Sequence, residues 1–343
     1  MRTGSVTHRN YFLEGGQNVS TYNFSSGIAE SIESFIQQKQ AIGYPYQSSS
    51  RILSNFDTMV ATEFPDANCI TKEICERWLS YKPGEHPNGL LRRVTPVRQL
   101  GKYMNGIGIP SYILPGHIPD RQIRYEAHIY TEREVEAFFR SIDSCPESVY
   151  SPVRRYVIPV FFRLLFCCGL RSSEARLLSC KDVDLTTGQI MIRESKGWKA
   201  RIIYVSDDLL ALLVEYDTLM QEKMPGREAF FPNQQGTYYN KSTPDTWFHE
   251  FWDPLPEASQ YVGNSPRVHD WRHSFCVYRL NQWVRENKDV NALYPYLSEY
   301  LGHSNFADTD YYLSLVPSFY PEMHSRMAPV NDDILPEVLG DEE

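Results

Sequence analysis

Residues 182–206 read DVDLTTGQIMIRESKGWKARIIYVS. Val183 and Leu185, then Ile190 and Ile192, then Ile202, Ile203 and Val205 form short β-type runs, separated by Thr187-Gly188 and by Ser195-Lys196-Gly197. Short apolar runs rich in β-branched residues and bounded by turn residues predict a three-stranded antiparallel meander. Almost every other apolar pattern in the chain has helical spacing, so the fold class is mainly α with a small antiparallel β-sheet (α+β).

Outward from the meander, helices are expected around Asp208–Met220, Thr246–Trp252, Asp270–Glu286, Leu293–Leu301 and Thr309–Leu315. Upstream, Thr131-Glu132-Arg133-Glu134 spells a capping box and opens a second domain. The greasiest stretch, Val157 to Leu170, carries Arg163 in its middle and reads as a buried helix with one charge at its margin. On the N-terminal side, Ile28, Ile32, Phe35 and Ile36 mark a first helix that Gly43 is placed to stop. A second runs through Leu53, Phe56, Val60 and Phe64, and a third follows a Thr71 cap through Ile74 and Leu79. A fourth spans about Leu90 to Met104 with Arg92, Arg93, Arg98 and Lys102 outward. Gly106 to Arg124, with Pro110, Pro115 and Pro119, has the composition of an extended linker. The expected organisation is a leader (1–21), a small helical domain (22–108), a linker (109–127), a larger domain (128–330) and an acidic tail (331–343).

The chain has 343 residues, 42% hydrophobic and 13% aromatic, enough apolar surface for real cores, which excludes disorder as the main reading. No apolar stretch approaches the ~18 residues of a membrane span, and residues 1–20 hold no apolar signal-peptide core. Seven cysteines without a C-x-x-C pair fit a reduced, cytoplasmic setting. The net charge of −9 argues at first against a polyanion partner. Its distribution changes that: residues 331–343 carry six acids and no base, while 151–201 carry ten Lys+Arg against four acids. The middle of the chain is a candidate polyanion face.

Four stretches place polar groups beside apolar helices. In Cys168-Gly169-Leu170-Arg171-Ser172-Ser173-Glu174, Gly169 ends one helix and Arg171 opens the next, where it can face a phosphate or pair with Glu174 across one turn. The hairpin tip Glu194-Ser195-Lys196-Gly197-Trp198-Lys199 lifts Lys196 off the sheet, as a proton donor, a phosphate ligand or a solvated turn lysine. In His269-Asp270-Trp271-Arg272-His273, both histidines fall on one helical face. That imitates a zinc helix, but Asp270 is one methylene short of the usual Glu and Arg272 sits poorly beside a cation. His269 and Arg272 as two donors to one oxyanion is the competing reading. The fourth stretch, Leu301-Gly302-His303-Ser304, runs on to Tyr311 and Tyr312.

The order Arg171, Lys196, His269-x-x-Arg272, His303, Tyr312 resembles the tyrosine recombinase/integrase family. Local matches are G-L-R-x-x-E at Gly169–Glu174, S-K-G-x-K-x-R at Ser195–Arg201, H-D-x-R-H-S-F at His269–Phe275, and L-G-H-S at Leu301–Ser304. The likeness is strong over about 128–320 and weaker over 22–105, which looks like the family's helical core-binding domain. It implies a two-domain DNA clamp, core-binding domain plus catalytic domain, without the arm-binding domain of many phage integrases.

By that resemblance, Tyr312 attacks the scissile phosphodiester to form a 3′-phosphotyrosyl link, with no cofactor and no metal. Arg171 and Arg272 clamp the non-bridging oxygens, and Lys196 protonates the leaving 5′-oxygen. His269 and His303 hydrogen-bond the phosphoryl group, with His269 able to assist deprotonation of Tyr312. Glu174 supports its neighbours and His273 is structural. Spacing from Leu301-Gly302-His303 selects Tyr312 over Tyr311, and Trp271 stands where the family often has Leu. The implied partners are double-stranded DNA, a homotetramer on two DNA sites with an exchanged C-terminal helix, and an accessory DNA-bending or directionality factor. No membrane is involved, and the location is cytoplasmic, with the nucleoid. The leading function is a site-specific recombinase of a mobile element or prophage. A chromosome or plasmid dimer resolvase is the nearest rival, and a type IB topoisomerase shares the chemistry. Alternatives of other classes are a non-catalytic architectural DNA-binding protein and a zinc hydrolase built on His269 and His273.

Overall fold

A computed structural model of the chain describes residues 22–44, 46–80, 85, 87–115, 125–193, 200–260 and 265–302. The hairpin tip with Lys196, the stretch from His303 through Tyr312 with its expected helix, the leader and the acidic tail lie outside the described residues. The chain divides into two compact units, 1–124 and 125–343.

The first unit is built from α1 (Ala29–Ala41), α2 (Gln47–Glu63), α3 (Lys72–Leu79) and α4 (Pro87–Gly106). Gly43 adopts φ +92° just past α1, the left-handed stop that its position predicts. Thr71 Oγ1 accepts from the Ile74 amide at 3.2 Å, capping α3. The apolar stripes meet in one core around Ile32, Phe35, Phe56, Trp78, Val94 and Leu100. Arg93 departs from the outward placement expected of it. It is buried, makes a bidentate pair with Glu85 (2.7 and 2.9 Å) and lies over the Trp78 ring. A guanidinium with its charge matched and its plane stacked can be buried where an unpaired one cannot. The stretch expected as linker is packed at both described ends. Leu114 joins the first core and the Tyr112 amide donates to the Ile70 carbonyl, while Ala127 is buried in the second unit.

The second unit opens with α5 (Glu132–Asp143), whose capping box is complete: the Glu134 amide donates to Thr131 Oγ1, and Glu134 Oε2 accepts from the Thr131 amide at 2.7 Å. The central element is α6 (Arg154–Cys168), which packs against α5, against α8 (Asp207–Lys223) and against α11 (Asp270–Arg285). Arg163 reaches the margin of α6 and forms a bidentate pair with Asp143, both contacts at 2.7 Å. The short α7 (Ser172–Arg176) follows, then the meander.

Strands β1 (Val183–Asp184), β2 (Gln189–Ile192) and β3 (Arg201–Tyr204) pair antiparallel in sequence order, with Ile190 opposite both Val183 and Ile203. Ile190, Ile192 and Ile203 face the core, while Ile202 and Tyr204 face outward, the alternation of a sheet covered on one side. The remaining helices are α9 (Thr243–Trp252), α10 (Pro256–Gln260) and α12 (Val290–Leu301). Trp271 from α11 is fully buried and stacks on Tyr130, with ring centroids 4.1 Å apart. A segment without helical or strand signal, Ala229-Phe230-Phe231, is also fully buried: the Phe230 amide donates to the Leu178 carbonyl and Cys180 donates to that of Glu228. Among the described residues no helix is long and apolar enough to cross a membrane.

Candidate active site

Gly169 ends α6 at φ +60°, and a Cβ there would collide with the Phe275 ring. This glycine therefore lets α6 approach α11 and turns the chain so that Arg171 begins α7. Glu174, one turn on, is wholly shielded from solvent and is the focus of three arginines. Its Oε1 accepts from Arg171 Nη1 at 2.7 Å, and Arg201 approaches in bidentate fashion at 3.0 and 2.8 Å. Arg272 Nη1 lies 3.9 Å from Oε2, and the Arg171 amide donates to that oxygen at 3.0 Å. Burial opposes ionisation of Glu174, but the hydrogen bonds and charge of Arg201, the Arg171 amide and the Arg272 charge together outweigh it and hold the carboxyl down at about 2.

The same arginines close the end of α12. The last carbonyls of a helix have no partner within it, and its C-terminus attracts cations. Here Tyr300 O accepts from Arg201 Nε at 2.7 Å, Leu301 O from Arg272 Nη2 at 2.6 Å, and Gly302 O from Arg171 Nη2 at 3.3 Å. Arg272 Nη1 also donates to the Gly169 carbonyl at 2.8 Å. Gly302 itself takes φ +65°, and a Cβ there would stand 3.0 Å from Arg201 Nη1. Three guanidiniums thus tie the starts of α7 and α11 and strand β3 to the Leu301-Gly302 turn.

His269 precedes α11 as an exposed residue, one turn from the almost fully buried Arg272. Crowding of the ring by protein, joined by the charges of Arg272, Arg171 and Arg267, pushes its pKa down to about 4. Both effects disfavour the protonated ring, so His269 is neutral at physiological pH. His273 packs perpendicular to it, with ring centroids 4.8 Å apart, and its Nε2 lies 3.8 Å from Asp270 Oδ1. Among the described residues no group of three His, Cys, Asp or Glu side chains is placed to hold a metal ion.

Three of the six expected site residues, Arg171, His269 and Arg272, therefore come together around Glu174, while Lys196, His303 and Tyr312 lie outside the described residues. Arg201, which closes the S-K-G-x-K-x-R match, is not among the expected site residues. Its signal was the strand period of two, which puts Arg201 on the same face as buried Ile203. Three guanidiniums against one carboxylate leave a surplus of two positive charges, a site built for an anion with several oxygens.

Residues 130–317 match the model of the phage integrase family. The chain is 25% identical over 307 residues to a protein of Sinorhizobium fredii described as an integrase/recombinase, y4rB, covering 88% of this chain and 97% of that one. Among solved structures, XerH site-specific recombinase bound to palindromic difH substrate in a post-cleavage complex shares the fold at 20% identity and a TM-score of 0.62, covering 87% of this chain and 84% of that one. A lambda integrase tetramer bound to a Holliday junction shares it at 14% identity and a TM-score of 0.56, covering 80% and 77%. The match to the family model spans more than half of the chain, which thus belongs to the phage integrase family of tyrosine recombinases.

Proposed function

We propose that this protein is a site-specific DNA recombinase of a mobile element or prophage that cleaves and rejoins strands through a 3′-phosphotyrosyl intermediate. The observation that carries the reading is the convergence of Arg171, Arg272 and a neutral His269 on one cationic site fastened to the Leu301-Gly302 turn. Arg171 and Arg272 stabilise the charge that builds on the non-bridging oxygens of five-coordinate phosphorus. His269, unprotonated at neutral pH, hydrogen-bonds the phosphoryl group and can accept a proton as Tyr312 attacks. Lys196 donates a proton to the leaving 5′-oxygen, and His303 supplies a further hydrogen bond. The phosphotyrosyl link conserves the energy of the phosphodiester, so rejoining needs no nucleotide cofactor. Both units bind duplex DNA, in a homotetramer on two sites with an accessory DNA-bending or directionality factor, in the cytoplasm at the nucleoid.

The test uses nicked suicide duplexes prepared from DNA flanking the gene, incubated in EDTA with wild-type, Tyr312→Phe and Tyr311→Phe protein. A protease-sensitive adduct on denaturing gels that disappears only with Tyr312→Phe supports the reading. Loss with Tyr311→Phe moves the nucleophile by one residue. DNA binding without adduct favours an architectural protein.

A further inference from the structure

The second unit begins at Tyr125, far in sequence from the site yet tied to it. Tyr125 donates its hydroxyl to Asp270 Oδ2 at 2.6 Å, across 145 residues. The Arg267 amide donates to the same oxygen at 2.8 Å, and the Arg267 guanidinium lies over the Tyr125 ring. Asp270 is completely buried and is the first residue of α11, immediately after His269 and two before Arg272. A buried carboxylate needs its hydrogen-bond donors, and these two define how the 267–270 turn delivers His269. The segment then continues along α11: the Tyr130 amide donates to Ser274 Oγ at 3.0 Å, and the Tyr278 hydroxyl donates to the Tyr130 carbonyl at 3.0 Å.

We infer that Tyr125 is a positioning residue: through Asp270 it fixes the 267–270 turn and so the placement of His269 and Arg272 at the reacting phosphate. The inference rests on the strand-transfer reading above. Asp270 is wholly buried and the Tyr125 hydroxyl is engaged with it, so both act through the turn. Their effect is on geometry, where a displacement of about 1 Å can cost on the order of a hundredfold in rate. Asp270 is also shared between two donors that hold different elements, so removing one hydroxyl loosens the turn while leaving the Arg267 amide bond in place.

The experiment compares full-length wild-type, Tyr125→Phe, Asp270→Asn and Asp270→Ala proteins on the same suicide duplex. It measures the single-turnover rate of adduct formation, DNA affinity, melting temperature and the NMR resonances of the His269 ring in the free protein. Tyr125→Phe is expected to slow adduct formation about tenfold, leave affinity and melting temperature near wild type, and move the His269 resonances. Asp270→Asn keeps an acceptor oxygen for Tyr125 and is expected to retain more of the rate than Asp270→Ala. A Tyr125→Phe rate within twofold of wild type overturns the inference. So does a loss that merely tracks melting temperature while the His269 resonances stay put. Absence of adduct from the wild-type chain contradicts the strand-transfer reading instead, and the His269 resonances in Tyr125→Phe then decide the positioning by themselves.

Discussion

Arg272 donates from Nη2 to the carbonyl of Leu301 at 2.6 Å, fixing the first turn of α11 to the last turn of α12, two residues before His303. With Arg171 on Gly302 and Arg201 on Tyr300, each of three consecutive helix-end carbonyls holds one guanidinium. The carbonyls hold the arginines in place, Glu174 offsets part of their charge, and the remaining positive charge is available to a phosphate.

Glu174 sets an acid limit on stability. Its folded pKa, about 2, is below the ordinary glutamate value, so ionised Glu174 stabilises the fold above pH ~5 and that contribution is lost as pH falls toward 2. The difference corresponds to about 3 kcal/mol at neutral pH and about 2 kcal/mol by pH 3.5. Urea unfolding of wild type and Glu174→Gln at both pH values should show a gap that narrows in acid.

Arg201 is expected to matter for folding as much as for rate. Arg201→Ala strips a bidentate partner from a wholly buried carboxylate and should cost about 3 kcal/mol. Arg201→Lys keeps the charge but not the paired geometry or the bond to Tyr300, and should cost less than half of that. Chemical denaturation of the two variants beside wild type measures both.

Gly302→Ala tests the turn. The left-handed φ of +65° costs a residue with a Cβ about 1–2 kcal/mol, and the added carbon meets Arg201 Nη1. A drop of that size in unfolding free energy, accompanied by slower strand cleavage, is the expected outcome.

His269 should titrate far below an ordinary histidine. In the free protein, NMR titration is expected to give a midpoint near 4, as crowding of the ring by protein and the Arg272, Arg171 and Arg267 charges require. Neutralising a neighbouring cation with Arg267→Gln should raise it.

The capping box at Thr131, the Gly43 stop and the meander were legible because each depends on local rules: side-chain reach, a positive φ, a period of two. Arg171, His269 and Arg272 were legible through their motifs. Arg93 was not, because a charged residue is read as exposed until its partner is known, and Glu85, eight residues upstream, lies outside the i,i+3 and i,i+4 reach of a helix; Arg201 shows only its strand face, its partner Glu174 lying 27 residues away. Tyr125 carries no local signal either: its acceptor lies 145 residues away. The burial of Ala229-Phe230-Phe231 depends on pairing with residues 178–180, which no pattern within that short segment announces.

Digestion of the covalent product formed from the suicide duplex in EDTA, followed by mass-spectrometric sequencing of the nucleotide-linked peptide, identifies the nucleophile. The expected product is a nucleotide joined through its 3′-phosphate to Tyr312. A link to any other residue, or wild-type protein bound to its own flanking DNA with no covalent product, would contradict it.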